Sequence, residues 1–113
     1  MPHRFAHVCT ACRISLKRDR YDERGQELGH RCPRCRRALV HAGDSFEAPP
    51  RRDVAAWRVV AVLLDAGIGF QQACCGCGPG YRPRSLREVR ERARWARRTG
   101  RSLAGALVSA DLP

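Results

Sequence analysis

Four cysteines fall in two matched pairs, Cys9-Thr10-Ala11-Cys12 and Cys32-Pro33-Arg34-Cys35, with 19 residues between the pairs. A two-residue gap lets one tight turn aim both thiolates of a pair at a single ion about 2.3 Å away, with backbone N–H groups facing the sulfurs. Two such turns, or knuckles, complete a tetrahedron, and the spacing is that of a structural zinc site. Four thiolates leave no open coordination position, so the expected role of the ion is to hold the fold and not to catalyse. A redox Cys-x-x-Cys would instead require a βαβ pattern around the first pair.

Three further cysteines, Cys74, Cys75 and Cys77, are crowded into CCGCG. They are a candidate second metal site, with His3, His7, His30 or His41 as a fourth ligand. The reading as small buried residues where a loop packs on a helix weighs more, because no fourth ligand has a recognisable spacing. A nucleophilic thiol is a third reading, because neighbouring arginines lower thiol pKa values, but no base is placed beside it in sequence. The glycines of CGCGPGYRP lack the Gly-Lys-Ser/Thr ending of a phosphate-binding loop.

The elements that must position the first four thiols can be read from periodicity. Ile14 and Leu16 alternate with polar neighbours, as do Leu28 and His30, which predicts two half-exposed strands. The polar stretch from Asp19 to Gly25 supplies the turn between them. A β-hairpin running between two metal-binding corners is the expectation. CTAC and CPRC, each followed by a short stretch with apolar residues (Ile14 to Leu16, Ala38 to Val40), resemble the two knuckles of a four-cysteine zinc ribbon. The resemblance covers roughly residues 5 to 42. It implies one structural zinc on Cys9, Cys12, Cys32 and Cys35, in a superfamily whose members bind DNA, RNA or proteins. The segment from FEAPPRRDVAAW through AGIGF to GYRPRSLREV is similar to the tail of small bacterial zinc-ribbon proteins of unassigned role, which implies no activity.

Pro49 and Pro50 interrupt regular structure and divide the chain into an expected zinc ribbon, 1–48, and a helical module, 49–113. Asp53 is placed to cap a helix running to about Ala66, with Gly67 just past its end. Val54, Trp57, Val60, Ala61 and Leu64 recur at helical spacing, and Val59, Val62 and Leu63 widen that stripe. Ser85 and Glu88 form a capping box that opens a second helix, which Gly100 ends. Leu103 to Val108 suits a short closing helix. The predicted class is α+β, a small ribbon followed by helices.

On the second helix Leu86, Val89, Ala93 and Ala96 make one apolar face, and Arg87, Arg90, Arg94, Arg98 and Arg101 an adjoining stripe. Arg82 and Arg84 extend that row before the cap. Seven arginines lie between residues 87 and 101 against two acids, Glu88 and Glu91. Arg34, Arg36 and Arg37 surround the second knuckle. Tyr81 and Trp95 are read first as anchors of the loop and the helix, with stacking on bases as the alternative, Trp95 projecting away from the apolar face.

The net charge of +11 and pI near 10.6 call for a polyanionic partner. The basic excess lies at the two ends, residues 1–48 holding 10 bases against 6 acids and residues 81–113 holding 9 against 3. No apolar leader opens the sequence, and the longest aliphatic run, Val59 to Leu64, is far short of a membrane span of about 20 residues. The expectation is a soluble cytoplasmic protein whose thiols stay reduced. The function expected is non-catalytic binding of nucleic acid, with RNA or a ribonucleoprotein favoured over a specific DNA site because no element reads as a major-groove helix. An adaptor docking on an acidic protein is the alternative from another class, and a cysteine-dependent enzyme the third.

Overall fold

The computed structural model of the chain describes residues 4–71 and 80–109. The protein is α+β, with an N-terminal three-stranded antiparallel sheet followed by helices. The strands are β1 (Arg4–Cys9), β2 (Ile14–Asp19) and β3 (Val40–Gly43), in the order β2-β1-β3. The first knuckle is the turn between β1 and β2, which pair from Cys9 opposite Ile14 to Arg4 opposite Asp19. The chain then makes a long excursion through an isolated bridge between Tyr21 and Glu27 and through the second knuckle, and returns as β3.

This pairing corrects the expected hairpin. The partner of Ile14 to Leu16 is not Leu28 to His30 but β1, and Leu28 to His30 is not a strand. In β1 Ala6, His7, Val8 and Cys9 are all buried, as befits a central strand covered on both faces. Such a strand shows no apolar-polar alternation, so the two-residue period that betrays β2 is missing from it.

β1 and β3 fall out of step between Ala6 and His7, leaving one extra residue on β3 before Gly43. Gly43 sits at φ +108°, and a Cβ there would come within 2.6 Å of the Phe70 carbonyl group. The strand end is this close because Phe70 N donates to Ala42 O at 2.7 Å and Ser45 N to Phe70 O at 2.8 Å. Only glycine meets both demands.

Helix α1 (Val54–Asp65) starts where expected, the Asp53 carboxylate accepting from Ala56 N at 3.1 Å. It ends with Gly67 at φ +80°, where Gly67 N donates to Leu64 O and Ile68 N to Leu63 O. Those two bonds satisfy carbonyls that the helix end leaves open. The wide apolar stripe serves two faces. Trp57 and Val60 pack with Ala6, Val8, Ala42 and Phe46 against the sheet, while Val59 and Leu63 pack with Ile68, Val89 and Leu107 against the later helices.

Helix α2 (Leu86–Thr99) is capped by Ser85, whose hydroxyl accepts from Glu88 N at 3.2 Å, and ends at Gly100 in the left-handed region. The short helix α3 (Leu103–Leu107) folds back on it, bringing Ala106 against Trp95 and Ala96. No helix among the described residues is long and apolar enough to cross a membrane.

Candidate metal centre and arginine surfaces

The knuckles are built from backbone first. In the second, Arg36 N donates to Cys32 O at 2.9 Å and Cys32 N to Arg37 O at 2.8 Å, closing a turn that the bridge between Arg31 and Ala38 anchors. Arg34 N points at the Cys32 sulfur at 3.4 Å. The residue after each pair, Arg13 and Arg36, has positive φ, 57° and 67°. Left-handed backbone at a residue with a side chain costs about 1 kcal/mol or more, so both turns are held in place by something other than local preference.

Both turns also bring their thiols together. The sulfurs of Cys9, Cys12, Cys32 and Cys35 lie within 4.8 Å of one another, the one such group of three or more ligands among the described residues. Cys9 and Cys35 are separated by 3.6 Å, well beyond a disulfide bond length of about 2.05 Å. Sulfurs about 2.3 Å from a common tetrahedral centre would be about 3.8 Å apart, so the group has the dimensions to hold one metal ion. Cys9 and Cys32 are buried and Cys12 and Cys35 partly so, which seals the inner side of the site.

The electrostatics agree with that use. Burial raises the Cys12 thiol, and the three neighbouring sulfurs push it further, to about 12. Cys9 is raised too, first by burial. Burial also acts upward on Cys32, but backbone N–H groups of Cys35 and Arg34 and the Cys35 and Cys12 thiols outweigh it and hold Cys32 at about 6. A divalent cation at the centre of the group would bind all four sulfurs as thiolates.

Beside the metal corner, on the face of β1 away from α1, lies a cluster of histidines. The His7 ring meets His30 edge-on at 4.8 Å and His41 at 5.4 Å, and His41 meets Phe5 at 5.1 Å. His7 Nδ1 donates to Phe5 O at 3.0 Å and His30 Nε2 to Asp19 O at 2.8 Å, which fixes both rings. Burial, first of all, lowers the pKa of His7 and of His41. The sequence marks these residues as polar; only the pairing of β1 with β2 and β3 shows that they pack together.

The expected nucleic-acid contacts divide. Arg34, Arg36 and Arg37 are exposed around the second knuckle, and Arg84, Arg87, Arg90, Arg94, Arg98 and Arg101 are exposed on or next to α2. Arg87 pairs with Glu91 at 3.2 Å, as the four-residue spacing predicts, and the Arg101 guanidinium lies 5.5 Å above the Trp95 ring. Arg82, placed in the row by sequence, turns inward. It donates from Nε and Nη2 to Gly69 O at 3.1 and 2.8 Å and from Nη1 to Tyr81 O at 2.8 Å, tying the start of α2 to the end of α1.

The aromatics are also committed inward, as anchors of the loop and the helix and not as stacking platforms. Trp95 is 7% exposed, covered by α3, and so does not project into solvent. A single-helix projection cannot anticipate the second surface that α3 supplies. Tyr81 OH donates to Glu88 Oε2 at 2.7 Å, and the buried Arg92 sits 4.4 Å above its ring. Arg92 Nε in turn donates to Ser109 O at 3.1 Å. Burial and the Glu88 carboxylate raise the Tyr81 hydroxyl to about 12, while that hydroxyl and the Arg84 amide hold Glu88 below the usual carboxylate range. Glu88 thus completes its cap one residue early, on Arg84 N at 3.2 Å.

Cys74, Cys75, Cys77 and His3, proposed from sequence for a second site, lie outside the described residues. Comparison of the chain with protein-family models, with characterised proteins and with solved structures finds no match.

Proposed function

We propose that the chain is a zinc-stabilised, non-catalytic nucleic-acid-binding protein, with RNA or a ribonucleoprotein as its partner. Zinc is the ion that suits a closed set of four thiolates, and a closed set serves structure. The observation that carries the binding reading is the outer face of α2. Arg87, Arg90, Arg94 and Arg98 are exposed along it, while Val89 and Ala96 anchor the opposite side. A helix fixed on one side and lined with guanidinium groups on the other presents forks that match phosphate oxygens. The arginines of the second knuckle add a second basic region, so the metal and the helix packing both serve to hold positive charge at set positions.

Binding of a labelled RNA hairpin measured over a salt series tests this. With roughly six phosphates neutralised, the log-log slope is expected near about −5. Arg90→Ala with Arg94→Ala lowers the slope by about 2. A chain that binds no RNA or DNA at low salt would refute the reading and turn attention to an acidic protein partner.

A further inference from the structure

The arginines of the second knuckle have neighbours that sequence separation hides. Between the two prolines and α1 the chain makes a turn in which Asp53 N donates to Pro50 O at 2.9 Å and Val54 N to Arg52 O at 3.0 Å. The indole of Trp57, only 2% exposed, donates to the same Pro50 carbonyl at 3.2 Å. The turn is therefore fixed to the core, and it carries Arg51 and Arg52. From it Arg51 Nε reaches the carbonyl of Cys12 at 3.3 Å, across 39 residues of sequence. The entrance of α1 is docked on the first knuckle, whose cysteine sulfurs lie within 4.8 Å of those of the second.

Across the second knuckle Arg31 Nη1 donates to Arg36 O at 3.1 Å. Arg31, Arg34, Arg36 and Arg37 thus belong to the second knuckle and Arg51 and Arg52 to the turn docked on the first, all six exposed. No acid occurs from residue 28 to residue 43, and the Asp53 carboxylate beside Arg52 is engaged as the cap of α1. Six guanidinium groups exceed the formal charge of about −2 that four thiolates leave on a divalent ion. One N–H each of Arg31 and Arg51 is already committed to a knuckle carbonyl. Their remaining N–H groups are held in place, so less side-chain freedom is lost when an anion binds.

We propose that Arg31, Arg51 and Arg52 join Arg34, Arg36 and Arg37 in a phosphate-binding cap over the metal corner, which grips the sugar–phosphate backbone of the bound nucleic acid. This rests on the nucleic-acid reading above and extends its second basic region with Arg31 and with Arg51 and Arg52 of the turn docked on the first knuckle.

The test uses the full, metal-loaded chain and a fluorescein-labelled RNA hairpin, with affinity followed over a salt series. Arg51→Ala with Arg52→Ala removes two contacts, so the slope falls by about 2 and affinity at about 0.1 M salt drops on the order of 10-fold per contact. Lysine at both positions keeps the slope. Arg52→Ala alone, which leaves the bond to Cys12 O intact, lowers the slope by about 1 and guards against a folding effect of the double change. Metal content and near-ultraviolet circular dichroism confirm that each variant is folded. If the wild type binds with a steep salt dependence and both alanine variants match it, the cap is overturned while the reading of α2 stands. If the wild type binds no nucleic acid, both fall together.

Discussion

The metal corner and the α2–α3 pair reach order by opposite routes. At the corner the backbone is locally unfavourable, with Arg13 and Arg36 both in left-handed conformation, and four sulfurs that repel as thiolates are brought within 4.8 Å. In the helical part every local preference agrees with the fold: a serine cap, a glycine stop, and Trp95, Ala96 and Ala106 buried together. A corner that four ligands could clamp on one ion can carry strain that local preference alone would not support. The difference sorts the consequences of mutation.

The largest effect is expected from Cys32→Ser. Cys32 is fully buried and ligand sets of this kind contribute folding free energy on the order of 10 kcal/mol, so the sheet should lose its structure and its metal together. Amide exchange would show β1 to β3 unprotected while α2 and α3 retain slow amides. Equal loss of protection throughout would mean that the two regions do not differ in the way described. Next in size is Trp95→Ala, expected to cost about 3–4 kcal/mol in denaturant unfolding and to leave the metal content unchanged.

A smaller effect belongs to Glu88, which joins Tyr81, Arg84 and the start of α2. Glu88→Gln should cost about 1 kcal/mol at neutral pH. Because the folded protein holds this carboxyl below its usual range, its contribution is present above about pH 4.3 and is lost as pH falls through the lower folded value. Tyr81 has the opposite sign: its raised pKa gives stability that is full below about pH 10 and disappears as pH rises through about 12. A spectrophotometric titration that finds Tyr81 ionising near its ordinary value would show that this contact does not form. The smallest effect is a gain. Arg36→Gly relieves left-handed strain and should stabilise the metal-loaded protein by up to about 1 kcal/mol, whereas Arg36→Ala, which keeps a Cβ in the same conformation, should not.

The sequence was most legible where chemistry depends on covalent spacing. Two Cys-x-x-Cys pairs mark the four thiols that converge without knowledge of the strands, and Asp53, Ser85, Gly67 and Gly100 mark helix ends because capping is a local matter. Legibility failed where the outcome depends on what covers a residue. β1 lost its alternation to burial on both faces, Arg82 and Arg92 are arginines turned to backbone carbonyls, and Trp95 is hidden by a helix five residues long. The proximity of Arg51 to Cys12 needed the tertiary fold, since no local pattern links residues so far apart.

The central claim is one ion clamped by Cys9, Cys12, Cys32 and Cys35. Native mass spectrometry, followed by peptide mapping after brief alkylation before and after a chelator, addresses it directly. The expected result is a single zinc in each chain with these four thiols protected until the chelator removes it. A metal-free chain that keeps its native circular dichroism while all four sulfurs react would contradict the claim.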